Sequence, residues 1–128
     1  MSIQSNIKQF YNQSPVPNPV NLTLTEKQLV SGQRIDDVSS EQNLRHFRNL
    51  INTKLYKNAY KRHGKQLSMF VVRESDATHR HHLHLVIEQP KDFELHFFMH
   101  MVKSCWQKTK FGYNEIHFEK PTELSRED

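Results

Sequence analysis

The chain has 128 residues, 35% of them hydrophobic and 25% charged, which suits one folded domain with a modest core and polar ends rather than a disordered chain. Lys and Arg number 18 against 14 Asp and Glu, so the formal net charge is +4 and the pI about 9.3, a balance that permits nucleic-acid binding without requiring it. A single Cys, Cys105, excludes a disulfide framework and a Cys-rich zinc site, three Gly leave no glycine-rich phosphate loop, and no apolar run approaches the roughly 20 residues that span a bilayer.

Residues 1–19 are rich in Asn, Gln, Ser and Pro and end in PVPNPV. They read as an extended N-terminal arm, with room for a short helix around Ile7–Tyr11, because closely spaced prolines oppose both helix and central strand. The first residues are polar and lack the apolar core of a signal peptide, so a cytoplasmic protein is expected. In VNLTLT, Val20, Leu22 and Leu24 alternate with Asn21, Thr23 and Thr25, the pattern of a half-buried strand. Residues 26–40 read as a polar loop. Ser39 or Ser40 is the expected cap of a helix whose apolar stripe is Leu44, Phe47, Ile51, Leu55 and Ala59, running to about Arg62 and stopped by Gly64.

LSMFVVRE, from Leu67 to Glu74, is strongly strand-forming. Ser75-Asp76-Ala77-Thr78 makes a turn, and HHLHLVIE, from His81 to Glu88, returns as the second arm of a hairpin. On that arm Leu83, Leu85 and Ile87 face one side and His82, His84, Val86 and Glu88 the other. Asp92 opens a second helix with the stripe Leu95, Phe98, Met99, Val102 and Trp106; Trp106, Phe97 and Phe98 suit a core or helix face better than base stacking. Gly112 closes the link to a fourth strand, Tyr113–Glu119. Ser125-Arg126-Glu127-Asp128 has the cap and first-turn acids of a helix start, so residues 121–128 read as a tail announcing a helix that the chain does not continue.

The order β-α-β-β-α-β implies an α+β, ferredoxin-like sandwich over residues 20–120, with two helices on one face of an antiparallel sheet and the other face open. The nine His are in excess, and His79, His81, His82 and His84 fall within six residues. His82 and His84, two apart on a strand, project from one face with Cα atoms roughly 7 Å apart. A bare His-x-His is a weak motif in so His-rich a chain. Glu74, ending the preceding strand, supplies a third donor at the same end of the hairpin. One carboxylate and two imidazoles suit Mn²⁺ or Mg²⁺ in phosphate chemistry, and also accept Zn²⁺. His79 and His81 read as loop residues, and His46, His63, His96 and His100 as helix-surface or packing residues. His117, on the last strand, is a weaker candidate. Arg73 and Arg80 flank the site and suit phosphate contacts, whereas the Lys and Arg of the first helix have the alternative of a merely solvated face.

Those residues carry a resemblance. THRHHLHLVIE resembles the His-hydrophobic-His motif of the HUH endonucleases, the rolling-circle replication initiators and relaxases. VNLTLT resembles the family's first motif, and VVRES, with Glu74 eight residues before His82, its acidic third ligand. The resemblance implies a metal-dependent domain that nicks and joins single-stranded or hairpin DNA across the open sheet face, through a tyrosine that becomes covalently attached to the 5′-phosphate. Carried over, Glu74, His82 and His84 are metal ligands, and Asn21, Thr23 and Thr25 face the DNA. The family's nucleophilic Tyr stands on a helix after the last core strand, where this chain ends, so no nucleophile is assigned. Two other readings of the residues stay open: a non-catalytic module binding single-stranded DNA or RNA on the same fold, and a ferredoxin-like endoribonuclease using His as acid or base.

Overall fold

A computed structural model describes residues 16–74 and 81–120. Residues 1–15 of the expected arm, residues 75–80 with the expected turn Ser75–Thr78, His79 and Arg80, and the expected tail of residues 121–128 lie outside the described residues.

The elements run β1 (Pro19–Glu26), β2 (Leu29–Val30), β3 (Gln33–Arg34), α1 (Asp37–Tyr56), α2 (Asn58–His63), β4 (Met69–Glu74), β5 (His82–Glu88), α3 (Leu95–Gln107) and β6 (Gly112–Glu119). The main sheet has the order β4-β5-β1-β6 and every neighbouring pair is antiparallel. Among the described residues the fold is thus α+β, a four-stranded antiparallel sheet with three helices, compatible with a ferredoxin-like arrangement. No helix among the described residues is long and apolar enough to cross a membrane.

Alternation places the core. Val20, Leu22 and Leu24 of β1 and Leu83, Leu85 and Ile87 of β5 are all buried against Leu44, Phe47 and Ile51 of α1 and Phe98, Val102 and Trp106 of α3. Trp106 meets Phe47 edge-on at 5.7 Å and donates its indole N–H to the Thr25 carbonyl at 3.0 Å, so its polar atom is satisfied inside the core.

The region between β1 and α1 is more ordered than a polar loop. β2 and β3 form a short hairpin, and α1 starts earlier than Ser39 or Ser40 would cap it. Asp36 is the cap. Its carboxylate accepts from the Ser39 N–H at 2.8 Å, and the Asp36 N–H donates to Ser39 Oγ at 2.9 Å, a reciprocal capping box. The long helix predicted to Arg62 is two helices. The chain breaks at Lys57, which has a positive φ of 47°, and α2 then ends at Gly64 in the left-handed region.

Two buried asparagines fasten the connections. The Asn52 amide donates to the Arg48 carbonyl and accepts from the Leu67 N–H at 2.7 Å, holding the approach to β4. The Asn43 amide donates to Thr109 Oγ1 and accepts from the Phe111 N–H, both at 3.0 Å, holding the turn between α3 and β6. In that turn a Cβ at position 112 would lie 1.9 Å from the Trp106 carbonyl oxygen, so only glycine fits.

The sheet face away from α1 and α3 is less open than the topology suggests. Val86 is fully buried there, packed against Val16, Phe70 and Val72. Apolar residues at one end of that face require cover, and the segment entering β1 supplies some of it through Val16. The polar end of the face is left for Glu74, His82, His84, Thr23 and Thr25.

Candidate metal centre

Antiparallel register sets the polar end. Glu74 pairs with His82 and Val72 with His84 across the β4–β5 hairpin; on the other side of β5, His82 pairs with Thr25 and His84 with Thr23. Paired residues share a face, so Glu74, His82, His84, Thr23 and Thr25 belong to one patch over three strands. The hairpin thus brings Glu74 to the two His as expected.

His84 is buried at 7% exposure, and both of its ring nitrogens are engaged. Nε2 lies 2.8 Å from Glu74 Oε2, and Nδ1 lies 3.4 Å from Thr23 Oγ1. Glu74 is about half exposed, so the pair spans buried protein and solvent. The Thr23 hydroxyl serves either imidazole tautomer. It donates to a bare Nδ1 when Nε2–H points at Glu74, and it accepts from Nδ1–H when the Nε2 lone pair is turned outward. The second arrangement is the one a ligating His takes.

The His82 ring is 6.4 Å from that of His84, centre to centre, and inclined by 64°. Among the described residues no three His, Cys, Asp or Glu side chains converge as a ready metal-binding group. Two donors on adjacent positions of a divalent ion, at about 2.1 Å each, sit about 3 Å apart, close to the Glu74–His84 separation. The donor types of that pair suit a divalent ion, and its spacing is that of the direct hydrogen bond between the two side chains. His82 stands beside it on the same face.

The other candidates separate. Arg73 alternates with Glu74 and is turned to the helix side, where Nε donates to Ser40 Oγ at 2.8 Å and Nη2 pairs with Glu41 at 3.0 Å. The reading that gave Arg73 to a phosphate followed its position next to Glu74 in sequence; strand alternation sends neighbours to opposite faces. Thr25 shares the face of His82 by register but is buried. Thr23 and Asn21 are half-buried on the same face, Asn21 farther from the His pair. His117 pairs with Thr23 in the row of His84 and contacts Glu115 at 3.2 Å. A cleft of about 510 Å³, lined by residues such as Arg48, Gln66 and Phe70, opens at the start of β4, the end opposite Glu74.

A further acid, Glu26, belongs to no motif. Glu26 continues the apolar stripe Val20, Leu22, Leu24 by two residues and is fully buried. One carboxyl oxygen accepts from Ser40 Oγ at 2.7 Å and the other, Oε2, has no hydrogen-bond partner among the described residues. Burial pushes its pKa up to about 7, against the lowering influence of the Ser40 hydrogen bond and of Arg73. The parity of β1 was the available signal.

Comparison with known proteins finds no matching family, curated protein or solved structure.

Proposed function

We propose that this chain is a metal-dependent, HUH-type domain that nicks and joins single-stranded DNA, with Glu74, His82 and His84 as the ligands of Mn²⁺ or Mg²⁺. The observation that carries the reading is the contact between Glu74 and His84 on the sheet face away from α1 and α3, with His82 next to it and Thr23 behind. A divalent ion held there supplies a Lewis acid for a scissile phosphate. Thr23 orients His84, the hairpin holds Glu74 opposite, and the burial of His84 limits its rotation. Tyr56 and Tyr60 belong to the helical elements α1 and α2, and Tyr113 is the second residue of β6, so the nucleophile stays unassigned.

The test is incubation of Mn²⁺-loaded protein with labelled single-stranded DNA. A covalent adduct resistant to denaturation, lost in a His82→Ala, His84→Ala double variant, supports nicking, and peptide mapping of the adduct names the tyrosine. The second reading is a non-catalytic single-stranded nucleic-acid module on the same fold. It is favoured by the engagement of both His84 nitrogens within the protein. Tight binding without an adduct at any metal concentration selects it.

A further inference from the structure

From Gln42 to Arg73 the chain contains no Asp or Glu, yet it carries eight of the 18 Lys and Arg. Within that stretch Lys54, Lys57, Lys61, Arg62 and Lys65 fall in twelve residues, and every one is exposed. They occupy the end of α1, the break at Lys57, the last turn of α2 and the residue after its glycine cap. Lys65 lies over the Tyr56 ring at 5.0 Å. Cations in a last helical turn favour the helix dipole, which explains one or two at each end. That effect does not account for five cations gathered without a carboxylate in the segment. The break at Lys57 adds to the oddity. A lysine at φ 47° is a strained position in which to keep a non-glycine residue, and it stands within the basic run.

We propose that this α1–α2 corner is a second nucleic-acid contact, which grips the phosphate backbone of a duplex. It lies on helical elements and does not include the residues of the sheet-face site. Charge complementarity selects a polyanion. The absence of an exposed Phe, Tyr or Trp from residues 54–65 selects the phosphates of a duplex over a single strand. Tyr56 and Tyr60 are half-buried, Tyr60 with its hydroxyl bonded to Asn49, and the exposed large hydrophobic residues among those described, Leu29, Val38, Phe97 and Phe118, all lie outside residues 54–65, Val38 in the first turn of α1 at its far end. Single-strand binders stack bases on exposed aromatics, and membrane-surface helices carry apolar anchors beside their cations. This corner offers neither. The inference shares its nucleic-acid partner with the function proposed above and extends it: duplex flanking the processed strand would be held by the helical side.

The experiment uses the full chain, fluorescence anisotropy and a labelled random-sequence duplex over a salt series, with a single strand of equal length and phosphatidylserine vesicles in parallel. The variant is Lys57→Ala, Lys61→Ala, Arg62→Ala. A second variant, Lys54→Ala with Lys65→Ala, leaves α2 unaltered and guards against misfolding of the first. The expected result is a loss of duplex affinity of about tenfold or more and a fall in the log–log salt slope of about 0.9 per phosphate contact removed. Unchanged duplex affinity and slope in both variants overturn the proposal. So does a loss confined to the single strand or to the vesicles. Mn²⁺ binding by calorimetry separates the two proposals, because the corner variants should bind the ion as the parent does, and a parent that binds duplex but no Mn²⁺ fails only the metal reading.

Discussion

Glu74 reaches past its own cross-strand partner. It is paired in register with His82, yet its Oε2 lies 2.8 Å from Nε2 of His84, whose partner is Val72. This diagonal contact is what makes the hairpin end a pair of donors rather than two separate polar side chains. It predicts unequal roles within the set. Removing either member of the pair, Glu74→Ala or His84→Ala, should weaken Mn²⁺ binding more than His82→Ala does. Losses of about 100-fold are expected for the pair, at or above the ~10–100-fold typical of residues one step behind the ligands. Titration calorimetry on the three single variants reads this directly. Equal affinities for all three and the parent would remove Glu74 and His84 from the site.

The alternation of VNLTLT and HHLHLVIE made the sheet legible, since a period of two is written directly in the residue types. The same rule sends Arg73 of VVRE to the helix side and, carried one residue past Thr25 in the first strand, sends Glu26 into the core. Proximity in sequence to the His motif obscures the first, and the polar run Glu26-Lys27-Gln28, which looks like loop, masks the second. The break at Lys57 had no local signal, for neither Pro nor Gly stands there, and the cap at Asp36 was hidden because Ser39 takes part in the same box. The tie of Asn52 to Leu67 and of Asn43 to Phe111 depends on pairings far apart in sequence, which no local pattern encodes. The diagonal reach of Glu74 is a rotamer choice and was equally beyond reading.

Thr23 gives a second prediction. Thr23→Val keeps the β-branched shape and strand propensity but leaves His84 Nδ1 without its hydroxyl. Stability should change by about 1 kcal/mol or less, the net worth of one partly buried hydrogen bond. Mn²⁺ affinity should fall about tenfold, because the ring is no longer oriented by its outer nitrogen. Thr23→Ser should keep most of that affinity. Thermal unfolding and calorimetry on the same samples separate the two effects, and a valine variant with full affinity would place Thr23 outside the site.

Gly112 tests the packing that closes the sheet. In Gly112→Ala the new Cβ meets the Trp106 carbonyl carbon and oxygen and the Thr109 hydroxyl oxygen, all well inside contact distance. Two of these atoms are backbone and cannot swing away, so α3 and β6 must separate locally. Trp106 is hydrogen-bonded to β1 and packed on Phe47, which resists that movement. A loss of about 2–3 kcal/mol is expected, in the range of overpacked cores. Urea unfolding measures it; a loss below about 0.5 kcal/mol, the scale of ordinary surface substitutions, would mean the turn yields freely.

Glu26 gives the chain a stability that depends on pH near neutrality. Its carboxyl is buried, with Ser40 bonded to one oxygen, Arg73 the facing charge and Glu41 holding the far side of that guanidinium. Its pKa is about 7 in the folded chain against 4.5 for the ordinary side chain. Between those values the folded state keeps a proton that the unfolded state has released, so raising the pH favours unfolding. The contribution is fully present below about pH 4.5 and is lost as the pH rises through about 7. At ~1.4 kcal/mol per pH unit the total loss is on the order of 3 kcal/mol. Glu26→Gln keeps an acceptor for Ser40 and removes the titration. Denaturant unfolding at pH 5, 6, 7 and 8 should therefore show the parent losing stability relative to the glutamine variant across this range, with the gap widest at pH 8. A constant gap between the two proteins would show that Glu26 keeps the same charge over that range, and that the Ser40–Arg73 side of the network outweighs its burial.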